Sequence, residues 1–529
     1  MNAVLSAFPA GMVVYEIYPR SFKDTSGDGV GDLPGITQQL DYIKSLSVDA
    51  IWICPFYPSP MVDFGYDVTD HKNVDPMFGT MADFDQLVVE AHKRGIKVII
   101  DLVFNHTSDQ HPWFKESQSS KENPKRNWYM WHDGKSDSTP PNNWLSVFGG
   151  SAWEYDPQTG QYYLHSFAKQ QPDLNWDNPE VRQAMQEVMK FWLVRGVDGF
   201  RVDAVDWFAK DKALRDDPNN PAFQPNVDMP YDSLLHVYSK RQYRLFKYLQ
   251  ELATILLQTP GSFMFLEARP HAQPDIAWYQ QYYEHVDPRV AAPFNLQYVG
   301  KGWQINDFKS SVNDYQAIIR PVDTAVYVLG NHDSSRVATR FGVRATAAAA
   351  VMQLTLPGVA VVYYGEEIGM RDRFIDPKDA LDVQGKGANI RFNRDPARTP
   401  MQWSAEPNAG FTTGQPWLPV NEDYQQINVA AAAQNPASLL SIYRWLINFR
   451  HQSKTMMYGT YLPLELHHPQ LFGFIRAYDK ERLATIINFS PQETAPLEVK
   501  DKLIFSTHGP QVDPHLMQPL EARIIRLED

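Results

Sequence analysis

Gly199-Phe200-Arg201-Val202-Asp203-Ala204-Val205 is a short apolar run that ends on a basic and an acidic residue two positions apart. On a strand, Arg201 and Asp203 leave the same face. A guanidinium there keeps the carboxylate ionised, and an ionised carboxylate at the C-terminal end of a buried strand suits a nucleophile. Comparable runs end in acids further on: Glu267 in SFMFLEAR and Asp333 in AVYVLGNHD. Three carboxylates on three strand ends point to one active site on the face of a barrel.

Outward from this stretch, apolar runs recur at Met12–Tyr18, Ala50–Cys54, Lys97–Phe104, Gly199–Ala204, Phe263–Glu267, Ala291–Leu296, Ala325–Gly330 and Gly358–Tyr364. They lack polar alternation, as strands covered on both faces do. Helical patterns separate several of them. Thr80-x-x-Asp83 reads as a capping box before Phe84, Leu87, Val88 and Ala91, with Gly95 as the stop. Asn178-Pro179 reads as an N-cap and first helical position. The stripe Val181, Ala184, Met185, Val188, Phe191 and Trp192 follows it, and Gly196 ends the helix. Repeated strand–helix units predict an α/β fold, a (β/α)8 TIM barrel.

The gaps predict the domain plan. Residues 1–106 read as the first part of the barrel and 107–176, rich in Trp, Pro, Asn and Gly, as a subdomain inserted after the third strand. Residues 177–454 read as the second part, with a loop-rich insertion at 371–435 and a smaller excursion at Lys210–Pro230. All these excursions follow strands and so fall on the C-terminal face, where barrel active sites are built. From Thr455 to Asp529 the pattern turns to short alternating runs, read as an antiparallel β domain.

At 529 residues the chain exceeds one hydrophobic core. A net charge of −13 argues against a nucleic-acid partner and fits a neutral substrate. The single cysteine, Cys54, excludes an intrachain disulfide. The N-terminal residues lack a basic region followed by a long apolar core, and no run is long enough to span a bilayer, so a cytoplasmic protein without a membrane partner is expected. The sequence gives no sign of oligomeric state.

Six motifs stand in order: DLVFNH (Asp101–His106), QPDLNW (Gln171–Trp176), GFRVDAV, FLEAR (Phe265–Arg269), NHDSSR (Asn331–Arg336) and RTPMQW (Arg398–Trp403). With them the chain resembles the α-amylase family of glycoside hydrolases, near its α-glucosidase and oligo-1,6-glucosidase branch, over nearly its whole length. The resemblance implies Asp203 as nucleophile, Glu267 as general acid/base and Asp333 as transition-state stabiliser. Two carboxyls about 5–5.5 Å apart are what a retaining mechanism needs. The same resemblance implies that His106 and His332 hydrogen-bond the sugar and that Tyr66 stacks under it. Asp63 and Arg398 resemble the pair that grips O4 of a non-reducing glucose and closes the pocket for exo action. Phe64 stands where the family commonly has Asn. Gln171 and Phe148 are further pocket candidates.

The run Asp24-Thr-Ser-Gly-Asp28-Gly-Val-Gly-Asp32 spaces oxygen ligands as a calcium loop does, although Gly35 stands where a bidentate Glu would close it. The family branch holds Ca2+ or Mg2+ here, which implies a structural ion on Asp24, Ser26, Asp28, the Val30 carbonyl and Asp32, with Ser26 in place of the usual Asn. No organic cofactor is expected. Ala204, small where the family has Val for α-1,6 bonds, points to α-1,4 substrates such as maltose.

The expected activity is a retaining exo-acting α-glucosidase on short α-glucosides. Transglucosylation, or isomerisation of sucrose or maltose, is open through the same intermediate. Proteins similar to this family also serve as non-catalytic transporter partners. Those carry a membrane anchor and lack catalytic acids, unlike this sequence.

Overall fold

Each of the eight apolar runs contains one buried strand. The computed structural model describes residues 8–136, 139–268, 276–497 and 502–528. Met1–Ala7 and Arg269, the last residue of FLEAR, lie outside them. In chain order the strands are β1 (Val13–Ile17), β2 (Ala50–Ile53), β3 (Lys97–Leu102), β4 (Trp131–His132), β5 (Trp153–Asp156), β6 (Gln161–Leu164), β7 (Gly199–Val202), β8 (Phe263–Leu266), β9 (Ala291–Pro293), β10 (Val326–Val328) and β11 (Val359–Tyr363). Eight of them form one parallel sheet in the order β10-β11-β1-β2-β3-β7-β8-β9. A single parallel bridge, Asn295 to Tyr327, joins β9 to β10 and closes the ring. The rings of Phe8, Phe263 and Phe265 pack against one another within the core.

The helix Met81–Lys93 starts with the capping box on Thr80 and Asp83. The helix Pro179–Val194 starts where the Asn178 side chain accepts from the Glu180 amide, and buries Val181, Met185, Val188, Met189 and Trp192. Ala184 and Phe191 are only half-buried.

After β3 the chain makes the helix Pro112–Ser119 and a three-stranded antiparallel sheet, β4-β6-β5. The excursion is anchored at its return, where Trp176 Nε1 donates to the Phe104 carbonyl at 2.8 Å. A buried Lys210 Nζ–Asp173 Oδ2 pair at 2.5 Å ties the excursion to the loop after β7. Residues 371–435 form loops and short helical turns such as Val383–Gly387. The C-terminal part holds β12 (Thr460–Leu464), β13 (Leu471–Tyr478), β14 (Glu481–Asn488), β15 (Ala495–Pro496), β16 (Lys502–Ser506), β17 (Leu516–Met517) and β18 (Ala522–Arg526), paired antiparallel. It joins the barrel through a Trp303–Phe489 stack, 4.2 Å between ring centres. Buried Arg476 adds bonds to the carbonyls of Thr355, Met456 and Gly459. Among the described residues no helix is long and apolar enough to cross a membrane.

Candidate active site

At the C-terminal ends of the strands lies a narrow pocket lined by Asp63, Tyr66, His106, Phe148, Phe167, Asp203, Glu267, Asp333 and Arg394. The parallel register brings Arg201 on β7 opposite Asp101 on β3 and Phe265 on β8, so one guanidinium serves three strand ends. Arg201 Nη1 lies 2.7 Å from both Asp101 Oδ1 and Asp203 Oδ1, and Nη2 lies 2.8 Å from Glu267 Oε2. The expected pairing of Arg201 with Asp203 is present, and Asp101 and Glu267 share it. The Ala204 amide donates to Glu267 Oε2 at 2.9 Å. That amide is turned inward because Ala204 adopts a left-handed conformation, φ 48° and ψ 40°. Burial pushes Asp101 up to about 6, with Arg201 opposing.

His332 stacks on Tyr66, ring centres 5.4 Å apart. Its Nδ1 is 2.7 Å from Glu16 Oε1 and its Nε2 is 2.8 Å from the Tyr66 hydroxyl. Both ring nitrogens are thus held, Nδ1 by Glu16 and Nε2 by Tyr66, whose hydroxyl also donates to Asp101 Oδ2 at 3.1 Å. Burial holds His332 well below the usual histidine range. His106 is likewise pushed down to about 4 by burial; its Nε2 lies 3.1 Å from the Tyr66 carbonyl. The Gln171 amide sits 3.1 Å from Asp63 Oδ2 and from His106 Nε2.

Asp63 requires a correction. Its partner is Arg394, whose Nη2 is 2.7 Å from Asp63 Oδ1. Arg398 instead donates from Nη2 to Asp333 Oδ1 at 2.9 Å and from Nε to the His332 carbonyl at 2.7 Å. Arg394 also reaches Asp333 Oδ1 at 3.1 Å and Asp382 Oδ1 at 2.6 Å, and lies over the Phe148 ring at 5.0 Å. Burial raises Asp382, yet Arg394 and Arg398 win and hold it at about 2. For Asp63 burial wins over Arg394, and its carboxyl is raised. Sequence reasoning missed Arg394, Asp382, Asp101 and Phe167. The signal for Arg394 was present in RDPAR, where two arginines precede the threonine of RTPMQW, and the helical turn Asp395–Ala397 between them decides which one faces the pocket.

Phe64 is also left-handed, φ 48°, a region where Asn is several-fold enriched and bulky residues are outliers. Packing compensates: its ring lies 5.3 Å from Trp417, and the Arg20 guanidinium lies over both. Asp67 fixes the turn by accepting from the amides of Val62 and Asp63 at 2.9 and 3.0 Å.

The Asp24–Asp32 loop lies outside the pocket lining. Its donors are oxygens suited to a hard cation. In this conformation Asp24 accepts from the amides of Ser26, Gly27 and Gly29 and from the Thr412 hydroxyl. Asp28 accepts from Val30, and Asp32 accepts from Thr25 and Gly35. The loop is closed by its own amides, and its carboxylates are not gathered within 4.8 Å of one another as a ligand cluster. The donor chemistry fits the expected ion; the arrangement of the donors does not.

A family model described as "Alpha amylase, catalytic domain" matches residues 16–459. An oligo-1,6-glucosidase of Parageobacillus thermoglucosidasius is 40% identical, covering 94% of this chain and 92% of its own length. Maltase 1 of Drosophila virilis is 41% identical over 90% of this chain and 78% of its own length. Among solved structures, an α-glucosyl transfer enzyme superposes with a TM-score of 0.89 at 35% identity, covering 98% of this chain and 99% of its own.

Proposed function

This chain belongs to the α-amylase family of glycoside hydrolases, and we propose that it is a retaining exo-acting α-glucosidase that releases α-glucose from the non-reducing end of short α-glucosides, preferring α-1,4 bonds. The observation that carries the reading is that Asp203, Glu267 and Asp333, each from a strand end, line one pocket bounded by Asp63 and Arg394.

Asp203, kept ionised by Arg201, attacks the anomeric carbon as Glu267 gives a proton to the departing oxygen. A β-glucosyl ester forms on Asp203. Glu267 then takes a proton from water, which attacks the same carbon and releases α-glucose. Asp333, held by Arg394 and Arg398, faces the positive charge that develops on the ring. His106 and His332 bind hydroxyls, Tyr66 supplies a ring face, and Asp63 with Arg394 grips the far end of the terminal glucose. Gln171 and Phe148 complete the wall.

Transfer of the glucosyl group to a sugar or alcohol is the second reading, favoured by the fit to the α-glucosyl transfer enzyme. Turnover of maltose, isomaltose and sucrose, with free glucose resolved from new or rearranged saccharides, separates the two. Glucose mainly from maltose supports the hydrolase and the Ala204 inference; new oligosaccharides move the assignment to transfer. Asp203→Asn is expected to reduce turnover of every substrate by on the order of 10³-fold or more, and full activity in that variant would sink the mechanism.

The Asp24–Asp32 loop is kept as a proposed structural site for Ca2+ or Mg2+, reached only after Asp24, Asp28 and Asp32 turn from the loop amides. Scanning calorimetry with EDTA and with added Ca2+ tests it. A Tm raised by Ca2+ and lowered by EDTA supports the ion; an indifferent Tm assigns the loop to hydrogen bonding alone.

A further inference from the structure

Cys54 is fully buried just past the end of β2. Its Sγ lies 3.6 Å from Glu16 Oε1 and 3.5 Å from His332 Nδ1, and those two atoms are 2.7 Å apart. Among the described residues this is the only trio of His, Cys and carboxylate side chains whose ligand atoms lie within 4.8 Å of one another. Glu16 is 0% exposed, and its second oxygen, Oε2, is buried without a hydrogen-bond partner. None of the glycosyl-transfer steps uses the thiol or that oxygen.

We propose that Glu16, Cys54 and His332 form a binding site for a thiophilic divalent cation of the zinc and cadmium type, directly beneath the sugar pocket. A thiolate, an imidazole and a carboxylate are a ligand set for such ions and not for Ca2+ or Mg2+, which take oxygen. The geometry is close to ready. Tetrahedral zinc with ordinary bond lengths sets sulfur–nitrogen and sulfur–oxygen edges of about 3.5 Å and a nitrogen–oxygen edge of about 3.3 Å. Both sulfur edges are already there, and the third must open by about 0.6 Å. Glu16 Oε2 is at hand as an additional donor.

The proton balance is simple. The thiol releases its proton to solvent, as does Glu16 if it carries one, and His332 binds through an unprotonated Nδ1 with its proton on Nε2. Thiolate and carboxylate together neutralise the dication, so the buried site ends without net charge. Nε2 lies 2.8 Å from the Tyr66 hydroxyl and 3.5 Å from Asp333 Oδ1. Metal on Nδ1 locks the proton on Nε2 and shifts the ring as the Glu16 contact opens, so occupancy slows turnover through the pocket floor beside Asp333.

The test uses the full chain and Cd2+, whose bond to a thiolate gives a charge-transfer absorption in the ultraviolet. One equivalent is expected to raise this band, Zn2+ to erase it, and saturation to lower α-glucoside turnover at least tenfold. Cys54→Ser is expected to lose the band and to need at least tenfold more Cd2+ for the same inhibition. Absence of the band in the wild-type protein at saturating Cd2+ overturns the site, whatever the activity. A band without inhibition overturns the link to His332, as does equal inhibition in Cys54→Ser. Should Cys54→Ser fail to fold, the wild-type band and its erasure by Zn2+ decide.

Discussion

Arg394 carries more than its sequence context advertises. It contacts Asp63, Asp333 and Asp382 at once. Removing one partner of a buried ion pair costs about 3–5 kcal/mol because the other charge is left unsolvated. Arg394→Met is therefore expected to lower kcat/KM on maltose by on the order of 10²-fold or more, through KM as well as kcat. Arg394→Lys recovers little, since an ammonium cannot serve three carboxylates with a planar fork. Retention of wild-type kinetics in either variant would remove Arg394 from the pocket. The acids were legible because each ends an apolar run, and strand geometry fixes where such residues point. Arg394 was not, because a turn has no period from which a direction can be read. Ala204 shows the same limit: its size was visible, but not the left-handed backbone that aims its amide at Glu267.

At the scale of elements, the barrel strands could be read because burial on both faces suppresses alternation, and the helix starts because capping is local chemistry. The insertion after β3 was marked by composition, its Trp, Pro, Asn and Gly, rather than by a period. Its root holds three neutral histidines: burial pushes His71 and His106 down to about 4 and His111 to about 2. Neutrality is used there, since His111 Nδ1 accepts the Trp113 amide at 3.1 Å to cap the helix Pro112–Ser119. All three folded values lie below the unfolded value of about 6.5. Between about pH 6.5 and 4 these rings bind more protons in the unfolded chain, so their contribution to stability falls as pH falls, by up to about 1.4 kcal/mol per unit for each histidine. Burial raises Asp67 and Asp101 to about 6 and Glu366 to about 8, and these acids oppose the trend, so the histidines are read by comparing Tm between pH 6.5 and 5 in a variant and in the wild type. His71→Gln is expected to lose less Tm over that interval than the wild-type protein, while lowering Tm at pH 7. An unchanged slope would show that these rings do not govern acid sensitivity.

For the molecule as a whole, the order of sheets and the β-rich C-terminal part followed from pattern changes along the chain, whereas the stacking of Trp303 on Phe489 joins residues too far apart for any periodicity to connect. The ring of strands is also uneven. Adjacent barrel strands share three or four paired positions everywhere except between β9 and β10, which meet at Asn295 and Tyr327 alone, with the Asn295 amide donating to Val326 at 3.1 Å. A cylinder with one weak join behaves as a rolled sheet with a seam. Amide hydrogen exchange in mild denaturant is expected to release residues 291–297 and 326–328 together, ahead of β1 to β3, and simultaneous exchange around the ring would contradict it. The barrel then unrolls from that seam, and β2 and β3, the latter bearing Asp101, lie opposite it and are the last to part.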